Sequence, residues 1–394
     1  MTFELVPAEV LNDCVSCGLC LPHCPTYRAT GEDAYSPRGR IALVSAVKAG
    51  SLALDDEVTE ALDTCIQCLA CVPACPSGVR YDRIIAPVVE EMADRRRSRR
   101  FALRLAMSPL RHPRLLRAVT RFLAVAQRCR LVPRVLGVPQ LPMRREKLSF
   151  DKATGSTDDR EEVVLFTGCV MDAWYRPVHV ASVNMLLALG YRVTFSGDEV
   201  PCCGALHEHA GLVDTAHEMS DSWGRTLAGR TVLVNSAGCG AMLKSRATPD
   251  MHVFDIHEFV VRHFDELASM LVPTGRAVIV QDPCHLRHVQ GAHEAVHALL
   301  SRAYDVHRIP DDGLCCGAGG SYSFTQRSMA RSVRDQKVRA IEGVISIAGV
   351  PDAVVASGNP GCSGFLGSIL DRPVEHPMVL LDRAMTTTRK EHHR

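Results

Sequence analysis

Cys14, Cys17, Cys20 and Cys24 run up to Pro25, and Cys65, Cys68, Cys71 and Cys75 run up to Pro76. Both runs read C-x2-C-x2-C-x3-C-P. Closely spaced cysteines of this kind can wrap three corners of one Fe4S4 cube, and the fourth, before proline, ligates the other cube. The spacing therefore assigns Cys14, Cys17, Cys20 and Cys75 to one [4Fe–4S] cluster. It assigns Cys65, Cys68, Cys71 and Cys24 to a second. Each proline turns the chain away and removes an N–H that would need a partner. A disulfide framework fits small secreted chains rather than 394 residues. Zinc is usually held by separated cysteine pairs. The chemistry implied is one-electron transfer.

Nine further cysteines remain of the 17. Eight of them follow apolar runs that read as strands: 163–166, 191–195, 231–235, 277–281, 304–309 and 352–356. The order is Cys169, then Cys202-Cys203-Gly204, then Gly238-Cys239. It recurs as Cys284, then Cys315-Cys316-Gly317, then Gly361-Cys362. A repeated order of this kind marks an internal duplication. In open α/β sheets the ligand site lies beyond the carboxyl ends of the strands, where all eight fall. They are candidate ligands of one or two further iron–sulfur clusters, redox-active thiols, or zinc ligands. His207, His209, His285 and His288 stand beside them as supporting candidates. Cys129, alone in a helical stretch, reads as a packed core thiol.

The rest of the chain must position these groups. Net charge is +1 and 46% of residues are apolar, an ordinary globular balance. No run of about 18 apolar residues suggests a membrane span, and the opening MTFELVPAEV lacks the order of a signal peptide. With so many thiols this places the chain in a reducing, cytoplasmic compartment. From Arg95 to Arg145 there are fifteen arginines and no acid. Apolar residues recur there at helical spacing, which predicts amphipathic helices broken near Pro109, Pro113 and Pro133. Such a segment suits docking to an acidic partner, with peripheral contact at the inner face of a membrane as a further use. No nucleic-acid-binding motif accompanies the charge. No G-x-G-x-x-G opens a helix after a strand, so no dinucleotide or flavin site is expected and no catalytic residue is assigned.

The expected fold is multidomain. A mainly helical two-cluster ferredoxin-type domain spans 1–90 and an arginine-rich helical connector 91–148. A linker at 149–162 leads into two α/β Cys-Cys-Gly domains with mostly parallel sheets, at 163–275 and 276–385, followed by a tail at 386–394.

Cys-Val-Ser-Cys-Gly-Leu-Cys (14–20), Ser-Pro-Arg-Gly-Arg-Ile (36–41), Cys-Pro-Ser-Gly-Val-Arg-Tyr (75–81), Cys-Cys-Gly-Ala (202–205), Leu-Cys-Cys-Gly (314–317) and Gly-Asn-Pro-Gly-Cys (358–362) resemble the iron–sulfur subunit of bacterial glycolate oxidase. The resemblance implies an electron-transfer subunit of a 2-hydroxyacid dehydrogenase. A partner FAD subunit would oxidise glycolate, with quinone or the respiratory chain as acceptor. Heterodisulfide reductase and lactate-utilisation proteins share the Cys-Cys-Gly pattern. Here Cys239 and Cys362 stand alone, followed by Gly240-Ala241-Met242 and Ser363-Gly364-Phe365, which departs from the C-x-x-C ending of some of those relatives. A non-enzymatic alternative is a zinc-stabilised docking scaffold.

Overall fold

Every one of the six apolar runs contains a strand in the computed structural model, which describes residues 2–132, 138–143, 148, 160–311 and 313–385. They are β1 (Glu162–Phe166), β2 (Arg192–Phe195), β3 (Thr231–Val234), β5 (Ala277–Val280), β6 (Asp305–Arg308) and β7 (Val354–Ala356). Two more strands, β4 (His252–Asp255) and β8 (Val374–Glu375), were not legible as apolar runs. Both are short edge strands with partly exposed residues, and neither opens on an apolar run.

The strands form two four-stranded sheets with matching orders, β2-β1-β3-β4 and β6-β5-β7-β8. All pairings are parallel, in register at Val164↔Val232 and Val232↔Val253, and at Val278↔Val354 and Val355↔Val374. Parallel strands covered by helices bury both faces, which explains the continuous Val and Leu runs. One apolar core joins the sheets, including Val163, Leu165 and Leu233 from the first and Val278, Val280 and Val354 from the second.

The chain divides into two compact units, and neither is a single stretch of sequence. The unit holding both cysteine runs comprises Met1–Ser108, Gly204–Glu218 and Pro310–Ala340. The unit holding the sheets comprises Pro109–Cys203, Met219–Ile309 and Ile341–Arg394.

The first unit is helical around the runs. Ser36 caps the helix Pro37–Lys48, its Oγ accepting from Gly39 N at 3.0 Å, with proline at the first turn. That helix buries Arg40, Ile41, Val44 and Val47 on one stripe. The helix Asp82–Arg95 buries Ile84, Ile85, Val88 and Met92 against the same core. Each such fully buried aliphatic side chain contributes about 1.5–3 kcal/mol. The later segments are tied in by Gln67 Nε2, donating to His209 O at 3.0 Å, and Tyr322 Oη, donating to Thr64 O at 2.9 Å.

The arginine-rich segment forms helices Arg97–Met107 and Pro113–Arg128, separated by a 3-10 turn at Ser108–Arg111. The break falls where Pro109 and Pro113 place it. Pro133, most of the 149–162 linker and the 386–394 tail lie outside the described residues. Cys129 corrects its sequence reading: it is exposed, at the C-terminal cap of the second helix. That helix buries Leu116, Thr120 and Ala124 and turns the face of Cys129 outward.

Candidate iron–sulfur centres

The two runs share one backbone conformation. Ser16 and Gly18 flank Cys17 with φ of 55° and 84°, and Gln67 and Leu69 flank Cys68 with φ of 58° and 57°. Left-handed residues on both sides of the middle cysteine curl the chain there. Three of these four residues are not glycine, at a cost of about 1–3 kcal/mol each. Such strain persists only where something holds it.

Cys24, Cys65, Cys68 and Cys71 line one cavity, together with Pro25, Arg40 and Tyr81. The residues come from both runs, so the proline-linked cysteine of the first run stands with three cysteines of the second. Burial raises the Cys71 thiol well above its ordinary pKa, and the nearby Cys65, Cys24 and Cys20 add to this. Sulfurs crowded in this way ionise together only around a cationic centre. Four thiols lining one cavity are the donor set that a four-iron cube takes. Tyr81 Oη donates to Cys65 Sγ at 3.7 Å, and Thr26 Oγ1 lies 3.2 Å from Cys24 Sγ.

Cys14, Cys20 and Cys75 pack against the same core, and Cys17 is exposed. Burial raises the Cys20 thiol, with Cys24 and Cys14 among its charged neighbours. Beside Cys65 and Ile66 opens a second cleft, lined also by Arg96, Arg99, Arg100, His209 and Tyr322. Burial lowers His209 to about 4, so it stays neutral there.

In the sheet unit, Cys169, Cys202, Cys203 and Cys239 gather beyond the carboxyl ends of β1, β2 and β3. Cys169 Sγ lies 3.5 Å from Cys202 Sγ, and Cys203 Sγ lies 3.2 Å from Cys239 Sγ. Hydrogen bonding with Cys202 and then burial raise the Cys169 thiol, with Cys202 and Cys239 as charged neighbours. Cys203 is raised likewise, by hydrogen bonds with Cys202 and Cys239. Trp223 Nε1 donates to Cys203 O at 3.3 Å.

The second set is divided between the units. Cys284 precedes the one-turn π-helix His285–Val289, and Cys362 lies in the helix Pro360–Gly367, where Asn359 Nδ2 donates to its sulfur at 3.4 Å. The two glycine–cysteine turns meet: Ala237 N donates to Gly358 O at 3.1 Å and Gly238 N to Asn359 Oδ1 at 3.3 Å. Cys315 and Cys316 are buried in the other unit, with Gly317 N donating to Cys315 Sγ at 3.4 Å. Gly317 has φ of 86°, and a Cβ there would stand 2.4 Å from Ala330 O, so the glycine is a steric requirement. His207 is buried, while His209, His285 and His288 are partly buried. Among the described residues no three Cys, His, Asp or Glu side chains meet in the arrangement a single metal ion needs, and nothing in the geometry favours zinc.

Sequence reasoning missed Arg40, which is 2% exposed and lines the Cys24–Cys71 cavity. Its only signal was its place in Ser-Pro-Arg-Gly-Arg-Ile.

Comparison with known proteins agrees with this layout. Residues 10–79 match the 4Fe-4S dicluster domain, and residues 163–244 and 278–367 match the cysteine-rich domain. A probable glycolate oxidase iron-sulfur subunit of Bacillus subtilis is 28% identical, over 90% of this chain and 87% of its own. The glycolate oxidase iron-sulfur subunit of Escherichia coli is also 28% identical, over 96% of this chain and 95% of its own. A dihydromethanophenazine:CoB–CoM heterodisulfide reductase subunit from Methanosarcina mazei is 23% identical, over 84% of this chain and 83% of its own. No helix among the described residues is long and apolar enough to cross a membrane. The matched segments cover more than half of the chain, which belongs to the iron–sulfur electron-transfer proteins that join a 4Fe-4S dicluster domain to a duplicated cysteine-rich domain, the group that includes the glycolate oxidase iron-sulfur subunits.

Proposed function

We propose that the chain is the electron-transfer subunit of a glycolate-type 2-hydroxyacid dehydrogenase, serving a separate FAD subunit and passing electrons toward quinone or the respiratory chain. The observation that carries this reading is the single cavity lined by Cys24 of one run and Cys65, Cys68 and Cys71 of the other. In this reading that set holds one [4Fe–4S] cluster, and Cys14, Cys17, Cys20 and Cys75 hold the second. Bound clusters supply one-electron transfer. The chain's own residues hold them, limit water and set the charge around them. Tyr81 offers its hydroxyl to Cys65 Sγ, Thr26 Oγ1 stands beside Cys24 Sγ, and the paired left-handed residues curl each run. Cys169, Cys202, Cys203 and Cys239 hold a further iron–sulfur centre in the same scheme. Cys284, Cys315, Cys316 and Cys362 repeat that set in the sequence.

The substrate chemistry belongs to the partner, since no flavin or nucleotide motif is legible in this chain. Arg96 and Arg99, which line the cleft beside Cys65 and share Asp63 between them, leave a net positive charge that suits an acidic partner surface. So do Arg114, Arg121 and Arg128, which flank the exposed Leu115, Phe122 and Val125. The test is anaerobic purification with the neighbouring flavoprotein, with iron, sulfide and flavin quantified. Glycolate should reduce a dye through the complex, and about eight irons or more per chain should be present, from two four-iron clusters and any further centre. A chain that carries no acid-labile sulfide, or that binds no flavoprotein, overturns the reading.

A further inference from the structure

Four cationic side chains are buried among the described residues: Arg40, Arg176, Arg334 and Lys337. Three of them face a carboxylate. Arg176 pairs with Asp172, Arg334 with Asp335 and Lys337 with Asp311. Arg40 pairs with none among the described residues. Its Nε donates to Ala61 O at 2.7 Å, and its Nη2 donates to Thr26 Oγ1 at 3.1 Å and Thr64 Oγ1 at 3.2 Å. All three acceptors are neutral. A buried charge with only neutral partners is costly, and proteins keep one only where an opposite charge stands nearby.

The groups around Arg40 show where that charge lies. Thr26 Oγ1, which accepts from Arg40, is itself 3.2 Å from Cys24 Sγ. Arg40, Cys24, Cys65, Cys68 and Cys71 line the same cavity. Burial opposes the guanidinium charge, but Cys65, Tyr81, Cys24 and Tyr322 outweigh it and hold the group firmly protonated. Gly39 makes the placement feasible, because a Cβ there would stand 1.8 Å from Asp33 O and push the helix start away.

The other run has a different cation. Arg38 Nη1 donates to Ser16 O at 3.1 Å, beside the first run. Arg38 is also paired with Asp33 at 3.0 Å, and both are solvent-accessible. Its charge is largely cancelled there and screened by water.

We propose that Arg40 is the fixed counter-cation of the cluster held by Cys24, Cys65, Cys68 and Cys71, and that it raises the midpoint potential of that cluster alone. The inference rests on the cluster assignment above. A reduced cluster carries one more negative charge than an oxidised one, so a fixed neighbouring cation favours the reduced form. Burial acts in the opposite sense, since it disfavours the more highly charged state. Arg40 therefore offsets the penalty of placing this cluster in the interior.

The test is a mediator-poised redox titration of the intact, anaerobically loaded chain, followed by EPR, with iron and sulfide counted for each variant. Cys24→Ser identifies the signal that belongs to this site. Arg40→Gln should lower the reduced-to-oxidised ratio of that signal at least tenfold at fixed potential, which is about 59 mV for a one-electron couple. Arg40→Lys, which keeps the charge, should stay within that margin, and the other signal should not move. The proposal is overturned if Arg40→Gln moves neither signal or both together, or if Arg40→Lys moves it as far. Should Arg40→Gln fail to load iron, Thr64→Asp sets a carboxylate against Nη2, with Thr64→Asn as the uncharged control. Asp should then lower the midpoint and Asn should not; equal midpoints reject the proposal. Absence of any four-iron signal in the unaltered chain would instead reject the cluster assignment.

Discussion

Cys65, Cys68 and Cys71 lie on one tight loop, whereas Cys169, Cys202, Cys203 and Cys239 arrive from the ends of three different strands. The loop gathers its thiols by local backbone geometry, with left-handed residues on either side of the central cysteine. The sheet gathers its thiols by topology: β1 sits between β2 and β3, so their carboxyl ends bring the cysteines together. The first arrangement depends on a few φ angles and on what fills the cavity. The second depends on the packing of a whole layer. Damage to one should therefore differ in kind from damage to the other.

The largest effect is expected at Cys24. Cys24→Ser should remove about four irons per chain and one of the two EPR signals that belong to the runs, because Cys24 lines the cavity of the other run's cysteines. Loss of both signals, or of neither, would break the distinction between local wrap and cross-ligation. Next comes Leu233, fully buried in β3. Leu233→Ala should cost about 2–5 kcal/mol in denaturant unfolding of the sheet unit. At temperatures where the chain remains folded, the iron of the two runs should stay. Equal loss of iron from the runs would show that they too depend on the sheet.

A smaller effect follows from His209. Burial holds its folded pKa at about 4, against 6.5 for the free side chain. Above pH 6.5 the imidazole is neutral in both states and contributes nothing. Between pH 6.5 and 4 the unfolded chain takes up the proton and the folded chain does not. Stability should thus fall by about 1–3 kcal/mol over that window. His209→Gln should flatten this part of the stability curve, and an unchanged slope would refute the assignment. Smallest is Cys129→Ser, which should leave stability within about 0.5 kcal/mol and iron content unaltered, as befits an exposed side chain.

Legibility tracked the source of each constraint. The runs were readable because cluster ligation imposes a fixed spacing along the chain. The strands were readable where apolar residues run together, as in Val163–Phe166; the edges β2 and β6 were read too, while the short edges β4 and β8 were not. The left-handed Ser16, Gln67 and Leu69 carry no sequence mark, since their conformation is imposed by the loop and not favoured by the residue. Arg40 was hidden by its type, because a lone arginine in a helix reads as solvated until its burial is seen. Cys129 was misread for the opposite reason: an isolated cysteine suggests a core thiol, and the helix turns it outward. The division of 204–218 and 310–340 from their sequence neighbours follows from tertiary packing, which no local pattern encodes.

That division has a consequence in time. The unit around the runs contains Pro310–Ala340, which leaves the ribosome roughly 200 residues after Ser108. At about 5–20 residues per second, synthesis of the intervening chain takes on the order of 10–40 s. Throughout that interval Tyr322 cannot reach Thr64, and the eight thiols of the runs wait in an unfinished shelter. The order in which the chain is made therefore sets how long those thiols stay outside their finished unit.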